Sequence, residues 1–298
     1  MAAKLVECVP NVSEGRRPEV IAALAEAVRS SDGVRLLNVQ SDPSHNRSVL
    51  SFAGAPPAAA AAAFALTSRA VELIDMNSHR GEHPRLGAVD VIPFVPIAGM
   101  AMEEAVEVAR TLGRRIWEEL RVPVYFYAQA AAQPQRLRLP DIRKGEYEGL
   151  TAKMTDPAWA PDVGEPRPHP TAGATVVGAR RPLIAYNINL HTPDVAVARQ
   201  VARAVRESSG GLLNVQAMGV TSAAGQAQVS MNLLDHAGTP LPRVFDLVRR
   251  EAERYGVAVA ESEIVGLVPL DAIVDVARYY LRLREFDRAQ ILEVRLME

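Results

Sequence analysis

The pentapeptide LLNVQ occurs twice in this chain of 298 residues, at Leu36–Gln40 and again at Leu212–Gln216. The two copies are 176 residues apart, and their flanks agree as AEAVRSSDGVRLLNVQ and ARAVRESSGGLLNVQ. One five-residue match arises easily by chance. A match that lies within the same helix–turn–strand order in both places instead indicates that the chain contains a duplicated unit.

Hydrophobic spacing around the repeat gives both halves the same order of elements, strand–helix–strand–strand–helix–strand. In the first half these elements are predicted at 5–12, 18–31, 34–40, 47–54, 56–74 and 89–97. In the second half they are predicted at 182–190, 193–209, 212–220, 227–235, 240–256 and 257–270. Further helices are predicted at 102–121 and 271–283, and a further strand at 122–128. The order is typical of ferredoxin-like split β-α-β units. We expect an α+β protein with two duplicated ferredoxin-like (β-α-β-β-α-β) subdomains, whose mixed sheets carry helices on their outer faces.

A segment rich in proline and glycine, DPAWAPDVGEPRPHPTA (156–172), separates the halves. Proline lacks a backbone N–H and clashes with the preceding turn, so this segment cannot form a helix or a central strand. A loop of this length is either a linker or a binding loop. Both interpretations remain open, although Trp159 and Arg167 are more than a plain spacer needs. We expect a first subdomain over 1–178, which includes the loop at 156–173, and a second over 179–298.

Composition excludes several classes of protein. The formal net charge is −2 and the pI is near 6.3, so no global positive field indicates binding to nucleic acid. Cys8 is the single cysteine, which excludes an intramolecular disulfide and a cysteine-based zinc site. The N-terminus lacks the apolar core of a signal peptide, and the alanine-rich run at 55–70 is too short and interrupted to span a bilayer. We expect a soluble cytoplasmic protein with no membrane partner.

The stretch SHRGEHPRLGAVD (78–90) contains the pattern H-x-x-E-H, which some zinc peptidases carry. A zinc site of that kind needs both histidines on one helix face. Gly81 costs a helix about 1 kcal/mol and Pro84 about 3 kcal/mol, so we predict a loop here and no metal. A charged loop is usually only a solvated surface. The alternative is a histidine whose neighbours adapt it to general acid–base catalysis.

Longer blocks of the chain resemble the formiminotransferase family, which includes glutamate formimidoyltransferases and one domain of the formiminotransferase-cyclodeaminases. The blocks run in order along nearly the whole chain. They are LVECVPNVSEGR (5–16), SHNRSV (44–49), LIDMNSHRGEHPRLGAVDVIPFVP (73–96), VPVYFYAQAA (122–131), IRKGEYEGL (142–150), WAPDVG (159–164), GATVVGARRPLIAYNINL (173–190), VSMNLLD (229–235) and EIVGLVPLDAIVD (263–275). Since the chain ends at Glu298, we expect a stand-alone transferase without a cyclodeaminase domain.

The resemblance implies transfer of a formimino group from N-formimino-L-glutamate to N5 of tetrahydrofolate, in histidine degradation and one-carbon metabolism. Tetrahydrofolate would be the acceptor substrate, the products being 5-formimidoyltetrahydrofolate and glutamate. The resemblance also implies a substrate tunnel between the halves and a homodimer. It implies that His83, in the block GEHPR, is the catalytic histidine. It maps folate binding to Gly164, Glu165, Pro166, Arg167, Pro168, His169, Pro170, Thr171, Ala172 and Gly173.

The chemistry of this transfer indicates what the site must contain. The formimino carbon is electrophilic because the amidine is protonated near neutral pH. The attacking nitrogen must lose a proton and the departing glutamate nitrogen must gain one, which a positioned histidine can carry out without a metal. Cys8 lies within an apolar strand and is expected to be an inert buried thiol.

Both substrates end in carboxylates, which arginine binds through two N–H groups, and both contain donors that need acceptors. We expect Arg47 and Arg85 to bind carboxylates, and Asp42, Glu82 and Asp90 to be acceptors for the amidinium. Amides near strand ends either contact the pterin or cap the strands. The full set of substrate-binding candidates is Asn11, Asp42, Arg47, His79, Glu82, Arg85, Asn187, Asn189 and Asn232.

Other functions remain open on the sequence alone. The same site could serve a related transferase that uses a formyl donor, or a hydrolase. A folate-binding protein without catalysis is an alternative from another class. The chain could also assemble with a separate cyclodeaminase. An assay of folate product with and without formiminoglutamate separates these alternatives.

Overall fold

The computed structural model describes residues 4–222 and 224–297. The described chain forms two compact units, and the boundary between them in the sequence lies between Arg180 and Arg181. The strands of the first unit are β1 (Leu5–Cys8), β2 (Asn11–Val12), β3 (Val34–Asp42), β4 (Arg47–Gly54), β5 (Val89–Ala98), β6 (Val124–Ala128) and β7 (Thr175–Ala179). Its helices are α1 (Pro18–Arg29), α2 (Pro56–Leu73), α3 (Met102–Leu120), α4 (Leu139–Arg143) and α5 (Glu146–Met154).

The strands of the first unit form one seven-stranded sheet. β1 and β2 are successive parts of one line through the sheet, and both lie between β4 and β5. β3 pairs with β4, and these contacts are all antiparallel. β7 then pairs in parallel with β5 and with β6, which gives the sheet a mixed character. Parallel strands are usually covered on both faces, and this part of the sheet is covered on both.

Helices α1, α2 and α3 cover one face of this sheet. Their apolar positions recur with helical spacing and pack on alternate strand residues, with Leu24, Leu66 and Ile116 meeting Phe52 and Phe94 in one buried cluster. On the opposite face, a smaller cluster involving α4 and α5 covers β5, β6 and β7. The same face of β1 to β4 carries polar side chains that remain partly accessible. The candidate site residues of the first unit lie around this uncovered part.

The second unit repeats the four-stranded part of the first. Its elements are β8 (Ile184–Leu190), α6 (Val195–Val205), β9 (Val215–Thr221), β10 (Ala227–Leu233), α7 (Leu241–Glu253), β11 (Val259–Val265), α8 (Leu270–Leu281) and α9 (Leu292–Met297). Its sheet has the antiparallel order β11-β8-β10-β9. This matches β5-(β1, β2)-β4-β3, since in both units the fourth strand lies beside the first and the third beside the second. Within the described residues, no helix is long and apolar enough to cross a membrane.

The prediction of an α+β chain with two sheets is confirmed, and we keep the ferredoxin-like classification as a prediction. The two copies of the pentapeptide LLNVQ differ in secondary structure, however. Leu36–Gln40 lies wholly within β3, whereas β9 begins only at Val215. Asn214 has φ +61°, a left-handed conformation that interrupts the strand. β7, α4 and α5 have no counterpart among the predicted elements.

Gly87, just before β5, provides a test of how tightly the first unit is packed. A Cβ at this position would lie 2.3 Å from the backbone oxygens of both Ala172 and Ala174, neither of which can move freely. Gly87→Ala should lower the free energy of unfolding by about 1–3 kcal/mol. Both tryptophans, Trp117 and Trp159, belong to the first unit, so urea unfolding followed by tryptophan fluorescence measures this change.

Gly149→Ala is the matched control, because a Cβ there would meet nothing within 4 Å and the residue lies inside α5. Alanine in a helix is more stable than glycine by about 0.5–1 kcal/mol, so the control should be stabilised. Equal effects of the two substitutions would contradict the packing described for Gly87.

Candidate active site

The connection between α2 and β5, residues 74–88, contains both histidines of the H-x-x-E-H pattern and forms a loop. His79 is buried, and both of its ring nitrogens have protein partners. Nε2 lies 2.9 Å from the backbone oxygen of Asn46, and Nδ1 accepts from Nε of Arg85 at 3.2 Å. These contacts fit a neutral ring protonated on Nε2, and burial lowers the pKa of His79. His79 therefore supports the loop, and its contact with a substrate stays a prediction.

Arg85 anchors the same loop to α5. The residue is 4% exposed. Its Nη1 lies 2.9 Å from Glu146 and 2.8 Å from Glu148, and its Nη2 lies 2.6 Å from the second oxygen of Glu148. An unpaired buried charge costs several kcal/mol, so these carboxylates stabilise the guanidinium. The same N–H groups would be needed by a substrate carboxylate. Arg85 serves as an internal anchor here, and its binding of a substrate carboxylate stays a prediction.

Asn46 joins the loop to the turn between β3 and β4, and sequence reasoning missed it. Its Oδ1 accepts from the backbone N–H of Gly15, and its Nδ2 donates to the backbone oxygen of Arg80, both at 2.9 Å. Its φ of +48° places it in the left-handed region, which asparagine tolerates better than most residues. The available signal was therefore an asparagine within a predicted turn.

His83 extends from the middle of this loop toward the start of β4. Nη1 of Arg47 donates to its Nε2 at 2.6 Å. Burial, followed by the positive charges of Arg47 and Arg143, lowers the pKa of His83 to about 2. The imidazole is therefore neutral near pH 7. In this neutral ring, the lone pair of Nε2 accepts the hydrogen bond from Arg47.

Arg143, at the end of α4, is the second residue that sequence reasoning missed. It forms an ion pair with Asp90 on β5, whose side chain is buried. The other oxygen of Asp90 accepts from the backbone N–H of Leu86 at 2.9 Å. Asp90 is therefore occupied by protein groups and is a poor acceptor for a substrate. The pair also brings a second guanidinium into the electrostatic environment of Arg47 and His83.

Positive charge at this position is only partly compensated. In the part of the chain that the structure describes, Arg47 has no carboxylate within ion-pair distance, and its guanidinium contacts the neutral ring of His83. Burial and the charge of Arg143 lower the pKa of Arg47. Binding of an anion offsets both effects on the pKa of Arg47, because a carboxylate supplies the missing negative charge. Arg47 thus remains the leading candidate for binding a carboxylate.

The remaining candidates of the first unit lie around this pair at different depths. Asp42 ends β3, opposite Arg47 in the register of β3 and β4, and its carboxylate bonds the side chain of His45 at 2.5 Å. Asn11 lies on β2 and donates to the backbone oxygen of Val9 at 3.1 Å. Glu82 is exposed on the loop. Asp42, Arg47 and His83 are thus brought together.

The predicted folate loop has a fixed end and an accessible end. His169 and Gly173 exchange two backbone hydrogen bonds, at 2.8 and 3.1 Å, and the backbone N–H of Met76 donates to Thr171. Ala172 is buried, and the loop therefore packs beside the segment that carries His83. The stretch 164–167 is exposed. Folate binding by this loop stays a prediction.

The candidates of the second unit share one face of its sheet. On β8, Nδ2 of Asn187 donates to Glu263 at 3.0 Å and Nδ2 of Asn189 donates to Glu261 at 3.1 Å. Gln228 donates to Asn189 at 2.9 Å, and Asn232 lies on the same strand as Gln228. These side chains alternate with buried apolar residues such as Ile188. They form a polar surface in which the amides of Asn187, Asn189 and Gln228 have partners in neighbouring strands.

Cys8 shows the expected behaviour of an inert thiol. It is fully buried, and burial raises its pKa well above the ordinary value. A thiolate is therefore disfavoured there. The first unit instead supplies a neutral imidazole beside an incompletely compensated pair of guanidiniums. That arrangement can bind an anionic molecule and accept a proton from it or from a second reactant.

Comparison with protein families divides the chain at nearly the same place as the structure does. Residues 5–180 match the N-terminal subdomain of the formiminotransferase domain, and residues 185–295 match the formiminotransferase domain. The two family models together cover most of the chain.

Individual relatives give the same result. A glutamate formimidoyltransferase of Thermoplasma acidophilum is 49% identical, over 97% of this chain and 96% of the relative. One from Streptococcus pyogenes serotype M1 is 46% identical, over 99% of each chain. The formimidoyltransferase-cyclodeaminase of Gallus gallus is 48% identical over 94% of this chain, which covers 53% of that relative.

His83 should make the stability of the first unit sensitive to acid. Its pKa in the folded chain lies below the value near 6.5 that an unfolded histidine has, so the unfolded state binds the additional proton as the pH falls. From pH 7 to pH 5 this favours unfolding by up to about 2 kcal/mol. His83→Asn should remove the part of the decrease in the free energy of unfolding that His83 causes. Urea unfolding followed by tryptophan fluorescence at each pH measures this change. Exposed His191 is the control, since His191→Asn should leave the pH dependence unchanged.

Proposed function

This chain belongs to the formiminotransferase family, and we propose that it transfers the formimino group of N-formimino-L-glutamate to N5 of tetrahydrofolate. The products are 5-formimidoyltetrahydrofolate and L-glutamate. The observation that carries the proposal is the contact between Arg47 and His83, which joins an incompletely compensated cation to a neutral proton acceptor. The cation binds the anionic amidine, and the proton acceptor takes the proton that the attacking amine loses.

Binding of the donor, formiminoglutamate, makes His83 available as a base. A glutamate carboxylate forms charge-assisted hydrogen bonds that are stronger than a bond to a neutral imidazole. Arg47 therefore turns from His83 to the carboxylate, and Nε2 of His83 becomes free. The bound anion also reduces the positive potential that disfavours protonation of the ring. His83 then accepts the proton that N5 loses as its bond to the formimino carbon forms.

Tetrahydrofolate is the acceptor substrate in this proposal, and no metal is needed for the proton transfers. The accessible stretch 164–167 is the part of the folate loop that is free to contact it. Asn11 and the amides of the second unit are further candidates for the donors and acceptors of the pterin. The tunnel between the halves, the homodimer, the cytoplasmic location and a partnership with a separate cyclodeaminase are proposals that rest on the family resemblance, as is the place in histidine degradation.

Replacement of His83 by alanine tests the central proposal. His83→Ala should lower kcat by ~10²–10⁴-fold, the range that general acid–base catalysis provides. The measurement is the absorbance of methenyltetrahydrofolate formed from the product, in the presence of formiminoglutamate. Circular dichroism and fluorescence must show an intact fold. A folded variant with nearly wild-type kcat would remove His83 from the mechanism.

The same assay separates the alternative functions. Turnover with a formyl donor but not with formiminoglutamate would assign a related one-carbon transfer. Binding of tetrahydrofolate without any turnover by the wild-type protein would assign a folate-binding protein. Either result would replace the proposed reaction.

Arg47 is expected to determine affinity for the donor. Arg47→Met should raise KM for formiminoglutamate by ~10–100-fold, because a charge-assisted hydrogen bond contributes about 1.5–3 kcal/mol. Arg47→Lys should restore only part of this, since lysine cannot bind a carboxylate through two N–H groups of one planar group. Arg203→Met on the exposed face of α6 is the control. Equal KM values for all four proteins would exclude Arg47 from donor binding.

A further inference from the structure

The turn between β3 and β4 contains a second histidine that is held by a carboxylate. Oδ2 of Asp42 lies 2.5 Å from Nδ1 of His45. The other oxygen of Asp42 accepts from the backbone N–H groups of Ser44 and His45, at 2.8 and 3.0 Å. The orientation of the carboxylate is therefore fixed by the turn. The carboxylate in turn fixes the ring, so that Nδ1 carries a proton and Nε2 faces away from Asp42.

His45 lies beside His83. The two ring centroids are 6.1 Å apart, with an angle of 79° between the ring planes. In the described chain, Nε2 of His45 has no hydrogen-bond partner. Nε2 of His45 is therefore available to a ligand that binds beside His83.

Close packing holds the two histidine-bearing segments together. A Cβ on Gly81 would lie 2.2 Å from the backbone oxygen of His45 and 2.9 Å from Cβ of Asn46. Only glycine allows the loop of His83 to approach the turn this closely. The hydrogen bond from Asn46 to the backbone of Arg80, at 2.9 Å, joins the same two segments. The distance between the rings is thus set by buried backbone contacts.

The charges that face the two rings have opposite signs. His83 faces the guanidiniums of Arg47 and Arg143, which disfavour a second proton on its ring. Nδ1 of His45 instead faces the carboxylate of Asp42, at 2.5 Å. One ring therefore lies beside guanidiniums and the other beside a carboxylate, an arrangement suited to separate roles as base and acid.

The proposed transfer requires both roles. A proton leaves the attacking nitrogen, the new C–N bond forms, the old C–N bond breaks, and a proton reaches the departing glutamate nitrogen. A single histidine must move between the two nitrogens to do both. We propose, on the basis of the formimino transfer proposed above, that His45, oriented by Asp42, donates the proton to the departing glutamate nitrogen while His83 accepts the proton from the attacking amine.

The proton balance closes within one cycle. Nε2 of His83 gains the proton of the folate amine, and Nε2 of His45 loses one to glutamate. After the products leave, His83 releases a proton to solvent and His45 takes one up. No oxidant, metal or covalent enzyme intermediate takes part.

Two substitutions test this division of roles. His45→Gln should lower kcat by ~10²-fold while KM for formiminoglutamate changes less than twofold, because the acid acts after binding. Asp42→Asn should give a smaller loss, since the ring keeps a partner but not the negative charge. The kcat of the wild type should decrease at alkaline pH, where a proton donor is lost, and this decrease should be absent in His45→Gln. A merely structural role for His45 would not change the shape of that pH profile.

Exposed His191 again provides the matched control, and His191→Gln should have wild-type kcat and pH profile. An active wild type together with a fully active His45→Gln, or with an unchanged alkaline decrease in that variant, would overturn the assignment of His45 and leave the proposed function intact. A wild-type protein that is inactive with formiminoglutamate and tetrahydrofolate would instead overturn both.

Discussion

The buried guanidinium of Arg85 is the contact on which the candidate site depends. It binds two carboxylates of α5 and the ring of His79 at once, and thereby fixes a loop that has little regular structure of its own. Loss of both carboxylates would leave an unpaired charge inside the protein, which is costly. The loop is consequently held in one arrangement. His83, four residues after His79, takes its position from that arrangement.

The charges around His83 then determine which ligands the site favours and whether the ring is protonated. Asp90 compensates Arg143, while Arg47 is left with a neutral imidazole as its partner in the described chain. In a partly buried place this excess of positive charge favours an anionic ligand and opposes protonation of His83. The same charge distribution therefore serves both affinity for a carboxylate and the availability of a base. Binding of the anion couples the two, because it draws Arg47 away from the ring.

One connection that differs between the duplicated units carries the candidate site. In the second unit, α7 ends at Glu253 and β11 begins at Val259, so a short turn joins them. The equivalent connection of the first unit, from α2 to β5, covers 74–88 and carries the motif GEHPR. The four-stranded sheets share their order of strands, which indicates that the fold tolerates variation in this loop. Function in such folds resides in the loops that a common scaffold positions.

The sequence by itself determined the duplication, the α+β class and the positions of most helices and strands, because each follows from hydrophobic spacing within a few residues. It also singled out His83 and Arg47 as candidates through blocks that resemble a family, and Asp42 as a carboxylate near one of those blocks. Tertiary structure alone decided which charged side chains form ion pairs within the protein. It paired Arg85 with α5 and Arg143 with Asp90, and it placed β7 between β5 and β6. Arg47 and His83 are 36 residues apart, and Arg143 and Asp90 are 53 apart. No local pattern encodes contacts at such separations, since they arise only when the sheet and its covering helices bring distant segments together.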